Sequence, residues 1–308
     1  MKRLLTTFLA FAMILSCTAC STGTNKEASE AEKSAAEDNS KKPIGLSVST
    51  LNNPFFVTLA DGAKAKAKNL GVELNVVDAG DDTAKQTSDI EDLISKNISV
   101  LIVNPVDSDA VAPAVKDAKA KGIKVISVDR AVNGEEVDCK IASDNVMGAK
   151  LAGEYLVSLV GEKAKVAELQ GVLGASATVD RGEGFHKAAD GKLNIVASQT
   201  ANFNRAEGLN VMENMLQANP DIKGVFAHND EMALGAVEAA AAAKKDIVIV
   251  GFDATEDATT AIKNGKMAAT VAQKPDLMGA TAVESAVKLA KGETVDKEIP
   301  VEVELIKK

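Results

Sequence analysis

From Lys42 onward the chain is punctuated by short apolar runs: PIGLSVS, VELNVVDA, SVLIVNP, IKVISVD, KVAELQG, NIVASQT, GVFAHND, IVIVGFD and MAATVAQ. Each is nearly continuous in Val, Ile, Leu and Ala, the pattern of strands buried on both faces of a parallel sheet. Between them lie Ala-, Lys- and Glu-rich segments whose apolar residues recur at helical spacing. These predict helices over 55–70, 83–96, 109–121, 149–160, 205–218, 231–244 and 277–291. In the first of them Phe56, Leu59, Ala63 and Ala67 share one face. Alternation of this kind predicts an α/β fold with doubly wound parallel sheets. The units are too many for one compact sheet and divide evenly around 142–145, so two similar lobes are expected. Ligands of open α/β sheets bind outside the carboxyl ends of the strands, which places the expected site in the cleft between the lobes.

Composition adds limits. Of the 308 residues, 46% are apolar and 26% charged, as in an ordinary globular protein, and the net charge of −9 argues against a nucleic-acid partner. Ahead of the alternating pattern, Lys2 and Arg3 precede an apolar run from Leu4 to Leu15, shorter than the roughly 20 residues a membrane span requires. The run reads as a secretory signal. The following SCTACST resembles a bacterial lipobox, with Cys20, after Thr18 and Ala19, as the expected lipidated residue and Cys17 as the alternative. Residues 1–20 are thus expected to be a lipoprotein signal peptide. Residues 21–42 hold no Leu, Ile, Val or aromatic residue and read as a flexible tether. The protein is then expected outside the cytoplasm, anchored to the outer face of the cytoplasmic membrane or periplasmic. Cys139 remains in the body as a packing residue rather than a reactive thiol, and no intrachain disulfide is possible once Cys20 is lipidated.

The residues at the strand ends carry the candidate chemistry. Asn53, Phe55 and Phe56 follow the first run, Asn104 the third, and Asp129 and Arg130 the fourth. Arg181 falls in a loop read over GVLGASATVDRGEGF. Phe203, Asn229, Asp253 and Gln273 follow later runs. Carboxylates, amides and guanidinium groups together accept and donate as the hydroxyls of a sugar require, and aromatic faces suit the C–H faces of its ring. The pairing in STLNNPFF is conspicuous in a chain with eight Phe, one Tyr and no Trp. Plainer readings stand beside this one. Asn53, Asn104, Asn229 and Asp253 each suit a helix N-cap, Arg181 a surface charge, and Phe56 the core stripe of its helix. Phe55 is the stronger candidate for a stacking face. His186 and His228 have no partners at metal-ligand spacing, and GVLGAS lacks the ending of a phosphate loop, so it reads as a turn against the cleft.

STLNNPFF, NPVDSDAV, SVDR, ASDNVMGAK, ELQG, RGEGF, GLNVM, HNDEMALGA, VGFD and AATVAQKPD closely resemble the bacterial ribose-binding proteins, the sugar-binding components of ABC importers. The resemblance runs from about Lys42 to the last residues. It implies the type I periplasmic-binding-protein fold: two lobes joined by three crossovers near 142–145, 273–275 and 301–303. The N-terminal lobe would span 43–143 plus 274–301, and the C-terminal lobe 144–273 plus 302–308. It implies ring stacking by Phe55, Phe56 and Phe203. Hydrogen bonds to one D-ribopyranose would fall to Asn53, Asp129, Arg130, Arg181, Asn229, Asp253 and Gln273, with Asn104 lining the same pocket. No cofactor, metal or catalytic residue is implied. The implied partners are D-ribose or a similar monosaccharide, an ABC permease, the membrane through the lipid anchor, and a chemoreceptor, with the protein a monomer. His228, where the family often has Gln, and a short turn at 190–192 depart from the pattern.

Two other classes compete with this reading. An exported enzyme acting on a sugar or nucleoside would have only Asp129 and Asp253 as a carboxylate pair. A sugar-responsive regulator would carry a helix-turn-helix where this chain carries its leader. Within the binding class, allose, galactose and furanosyl signals are the competing ligands.

Overall fold

A computed structural model of the protein describes residues 39–308. The leader with Cys17 and Cys20, and 21–38 of the expected tether, lie outside the described residues. The end of that tether, Asn39–Lys41, is a short 3-10 helix rather than unstructured chain.

The strands form two six-stranded sheets. The first holds β1 (Ile44–Val48), β2 (Leu74–Asp78), β3 (Val100–Val103), β4 (Lys124–Val128), β5 (Cys139–Ser143) and β11 (Glu298–Val301), in the order β11-β5-β4-β3-β1-β2. The second holds β6 (Lys165–Gln170), β7 (Asn194–Thr200), β8 (Gly224–Ala227), β9 (Val248–Asp253), β10 (Ala269–Ala272) and β12 (Glu304–Lys307), in the order β12-β10-β9-β8-β6-β7. Every pairing is parallel except that of β10 with β12. The same order recurs in both sheets, as in doubly wound folds. Three connections pass between them: β5 to the helix that follows it, β10 to the next helix, and β11 to β12.

The helices are α1 (Pro54–Leu70), α2 (Thr83–Ser95), α3 (Ala112–Ala120), α4 (Asn145–Val160), α5 (Ser176–Ala189), α6 (Arg205–Ala218), α7 (Asp230–Ala242), α8 (Glu256–Lys263) and α9 (Pro275–Ala290). Helix α1 illustrates their local logic. Asn53 caps it through a bond from Phe55 N (2.9 Å), Pro54 presets the first turn, and Gly71 ends it at φ 67°. Its buried face is Phe55, Phe56, Leu59, Ala60, Ala63 and Ala67.

The pattern-based expectations need three corrections here. Arg181 stands on a helix, α5, and not in a loop. Helix α8 was not expected, because its eight residues are too few for a clear period. Strands β2 and β7 are half-exposed, since each forms the edge of its sheet. Central strands such as β1 and β3 are buried throughout. Cys139 packs in the core of the first sheet, where burial pushes its thiol up to about 11.

Candidate ligand site

The carboxyl ends of both sheets meet at one small cavity. Its walls are Asn53, Phe55, Phe56, Asp129, Arg130, Ala177, Arg181, Phe203, Asn229, Asp253 and Gln273. Ten of these are candidates read from the sequence. Ala177 is the addition; its methyl gives no chemical signal in a sequence. Asn104 is the exception among the candidates. It lies behind the wall, fully buried, accepting from Ser49 N and donating to Val128 O and Asp129 Oδ2 (3.1 Å). Neither is it a helix cap: its amide ties β1, β3 and β4 together behind Asp129.

The charged groups alternate. Arg130 Nε is 3.7 Å from Asp129 Oδ2, and Arg181 Nη1 is 3.8 Å from Asp253 Oδ1, beyond hydrogen-bond reach in both cases. All four side chains are almost fully buried. Both guanidinium groups are anchored from behind. Arg130 donates to Pro105 O (2.8 Å), while Arg181 donates to Asn145 Oδ1 (2.8 Å) and His228 O (2.6 Å). Burial pushes the Asp129 and Asp253 carboxyls up against the opposing pull of the arginines, and it pulls both arginines down. Several polar atoms of the wall have no partner: Asp129 Oδ1, Arg130 Nε and Gln273 Oε1.

The aromatic walls are held as firmly. Phe55 and Phe56 meet edge to face at 5.1 Å. Both line the cavity and both belong to the hydrophobic core, so the distinction expected between them is absent. Arg130 is 5.1 Å from the Phe56 ring, on α1, and 5.2 Å from the Phe203 ring, in the loop after β7. Phe203 itself fits against Gly171, where an added Cβ would lie 2.0 Å from the ring. Asn229 caps α7 through Met232 N and also donates to Phe203 O (3.1 Å), so the cap reading and the wall reading both hold. Asp253 is no cap, because Thr255 caps α8.

The two halves also touch directly at the rim. Ser108 N donates to Gly174 O (2.8 Å), Ser176 N to Ser108 Oγ (3.1 Å) and Ala131 N to Ser176 Oγ (2.8 Å). Helix α5 has no side-chain cap at its own N-cap residue, so Ser108 satisfies its first turn from across the cleft. These bonds and the buried charges describe a closed cleft.

Beneath Arg181 lies a buried pair. His228 Nε2 is 2.9 Å from Glu168 Oε1, and Ser198 Oγ donates to Glu168 Oε2 (2.6 Å). Burial pulls the His228 pKa below its ordinary value and outweighs the attraction of Glu168. Burial acts against the Glu168 charge as well, but bonds from His228 and Ser198 hold its pKa low. A histidine kept neutral when folded titrates near 6.5 when unfolded, so it contributes stability that is lost as pH falls below that value. The depressed Glu168 acts in the same direction at lower pH. The raised carboxyls Asp129, Asp230 and Asp253 act oppositely, so the comparison must be differential. His228→Gln is expected to gain thermal stability relative to wild type as pH is lowered from about 7 to about 5. Melting curves of the two proteins across that range check it, and a constant offset would contradict it. No group of three or more His, Cys, Asp or Glu among the described residues is placed to hold a metal ion.

Two α/β lobes closed over a small polar and aromatic cavity define a protein of the solute-capturing class. The family model of the periplasmic binding protein domain matches residues 44–294, and the chain belongs to that family. It is 48% identical over 300 residues to the ribose import binding protein RbsB of Bacillus subtilis, covering 97% of each chain. It is 52% identical over 270 residues to the ribose import binding protein RbsB of Escherichia coli, covering 87% of this chain and 91% of that one. Among solved structures, an ABC transporter solute binding protein from Mycobacterium smegmatis with bound glycerol superposes with a TM-score of 0.83 at 38% identity. That match covers 86% of this chain and 94% of the other.

Proposed function

We propose that the protein captures D-ribose, in its pyranose form, between two closing lobes and delivers it to an ABC importer. The observation that carries this reading is the cavity wall. Unpartnered acceptors (Asp129 Oδ1, Gln273 Oε1) and a donor (Arg130 Nε) face one small space bounded by phenylalanine rings. A buried polar atom left unmet costs about 1–3 kcal/mol. A ring that carries hydroxyls on its edge and C–H on its faces meets both demands at once. The similarity to ribose import binding proteins over nearly the whole chain supports ribose among the sugars.

The lobes are proposed to divide at 43–143 plus 274–301 and 144–273 plus 302–308, because the strands of each sheet fall within those spans. Hinge motion would open the cleft by rigid-body rotation about the three crossings. Ligand contacts are proposed for the wall residues, with Asn104 acting through Asp129. No catalytic step is assigned. The reading also places the protein outside the cytoplasm as a monomer, held to the membrane through Cys20 and open to a permease and a chemoreceptor.

Isothermal calorimetry tests it. D-ribose is expected to bind one-to-one, at least tenfold more tightly than allose or galactose; tenfold is about 1.4 kcal/mol. No heat with ribose and a clear response to another sugar would overturn the assignment.

A further inference from the structure

Asp230 directly follows the wall residue Asn229, at the start of α7, and does not itself line the cavity. It is fully buried. All the groups that hydrogen-bond it are neutral. Thr255 N (2.8 Å) and Thr255 Oγ1 (3.2 Å) donate to Oδ2, and Thr270 Oγ1 (2.6 Å) donates to Oδ1. Burial pushes this carboxyl up to about 7. Strand β9 also makes room for it, since a Cβ on Gly251 would stand 2.3 Å from Asp230 Oδ1. A fully buried carboxyl bonded only by neutral groups, in a space cleared for it, asks for a purpose.

Its partners supply one. Asp253 has φ 126° and the next residue, Ala254, has φ 57°. Residues with side chains hold such conformations only where the surroundings enforce them. Ala254 N donates to Thr270 Oγ1 (3.2 Å), the same hydroxyl that donates to Asp230. Thr255 N donates to Asp230 directly. The two backbone N–H groups after Asp253 are therefore fixed by Asp230 and Thr270. The turn they fix points Asp253 into the cavity, 2.7 Å from Gln273 Nε2.

We propose that Asp230 and Thr270 are positioning residues for sugar capture, clamping the strained 253–255 turn so that the Asp253 carboxylate meets the ligand. The inference rests on the sugar-binding reading and extends it to two residues outside the cavity. It differs from a general role in stability, because the effect must pass through Asp253.

A double-mutant cycle measured by calorimetry with D-ribose tests it on the full folded protein. Thr270→Val keeps the shape and removes the hydroxyl, and is expected to weaken binding about tenfold. Thr270→Ser keeps the hydroxyl and is expected to bind as wild type. In an Asp253→Asn background, Thr270→Val is expected to cost less than about twofold, because the group it positions is already impaired. Asp230→Asn provides an independent second variant should Thr270→Val fail to fold, with the same dependence on Asp253. Wild-type affinity in Thr270→Val, or an equal loss in both backgrounds, overturns the proposal. Failure of the wild type itself to bind ribose is a different result and overturns the functional reading beneath it.

Discussion

Arg181→Met is expected to abolish sugar binding at ordinary concentrations while the protein stays folded. The guanidinium holds three things at once: Asn145 Oδ1 at 2.8 Å, His228 O at 2.6 Å and the facing Asp253 at 3.8 Å. It also lies 3.9 Å from the center of the Phe252 ring. Methionine replaces the apolar stem and leaves Asp253 without its cation. Removing one member of a buried charge pair costs about 3–5 kcal/mol. If that cost is expressed in the closed, liganded form, affinity falls by about a hundredfold to several thousandfold. The unliganded protein can relieve part of the cost by opening the cleft to water, so its melting temperature should fall much less. Calorimetry alongside thermal unfolding of the unliganded variant checks both parts. A variant that binds ribose within about tenfold of wild type would remove Arg181 from the center of the site.

Gly171→Ala is the second large effect, and it tests shape instead of charge. The cavity exists partly because residue 171 has no side chain. A Cβ there would lie 2.0, 2.3 and 2.4 Å from three carbons of the Phe203 ring. The Phe203 backbone is held by its carbonyl bond from Asn229, and the ring lines the cavity, so the side left open to it is the ligand space. Overpacking of this kind costs about 1–3 kcal/mol, and here the strain is relieved by pushing the ring into the space of the ligand. Affinity is expected to fall about ten- to a hundredfold. Phe203→Leu, with its smaller side chain, should recover part of the loss in the double variant although it weakens binding alone. Simple additivity of the two losses, read by calorimetry, would contradict this account.

These residues also mark what the sequence reveals and what it hides. The strand ends are legible because their chemistry is unusual for their position. Asp129, Arg130, Asp253 and Gln273 each follow an apolar run, and the folded sheets bring those ends together at one cavity. The doubly wound class is legible too, because strands and helices alternate, whereas the order of the strands appears only in the folded sheets. Helix α5 is harder to read. Gly182 and Gly184 lower its helical propensity, and the buried face of Ala177, Arg181, Phe185 and Ala188 is recognizable only once a charged residue is allowed on it. Asn104 shares the residue type of true wall positions, and only the packing of β1, β3 and β4 shows that it faces a carboxylate instead of the cavity. Phe55 and Phe56 are adjacent on one helix, so a helical stripe would choose between them. At the first turn of α1, beside the cleft, core and cavity are contiguous and both rings serve both. Asp230 also follows an apolar run, but nothing in the pattern separates it from an ordinary acidic residue at the start of a helix.

The central claim is that the ligand is enclosed by movement of one lobe on the other. Small-angle X-ray scattering of the purified protein with and without saturating D-ribose tests it most directly. The radius of gyration is expected to fall on addition of ribose in the wild type, toward that of the closed form, and to stay unchanged in Arg181→Met. An identical radius with and without bound ribose, with binding established in the same sample, would contradict it.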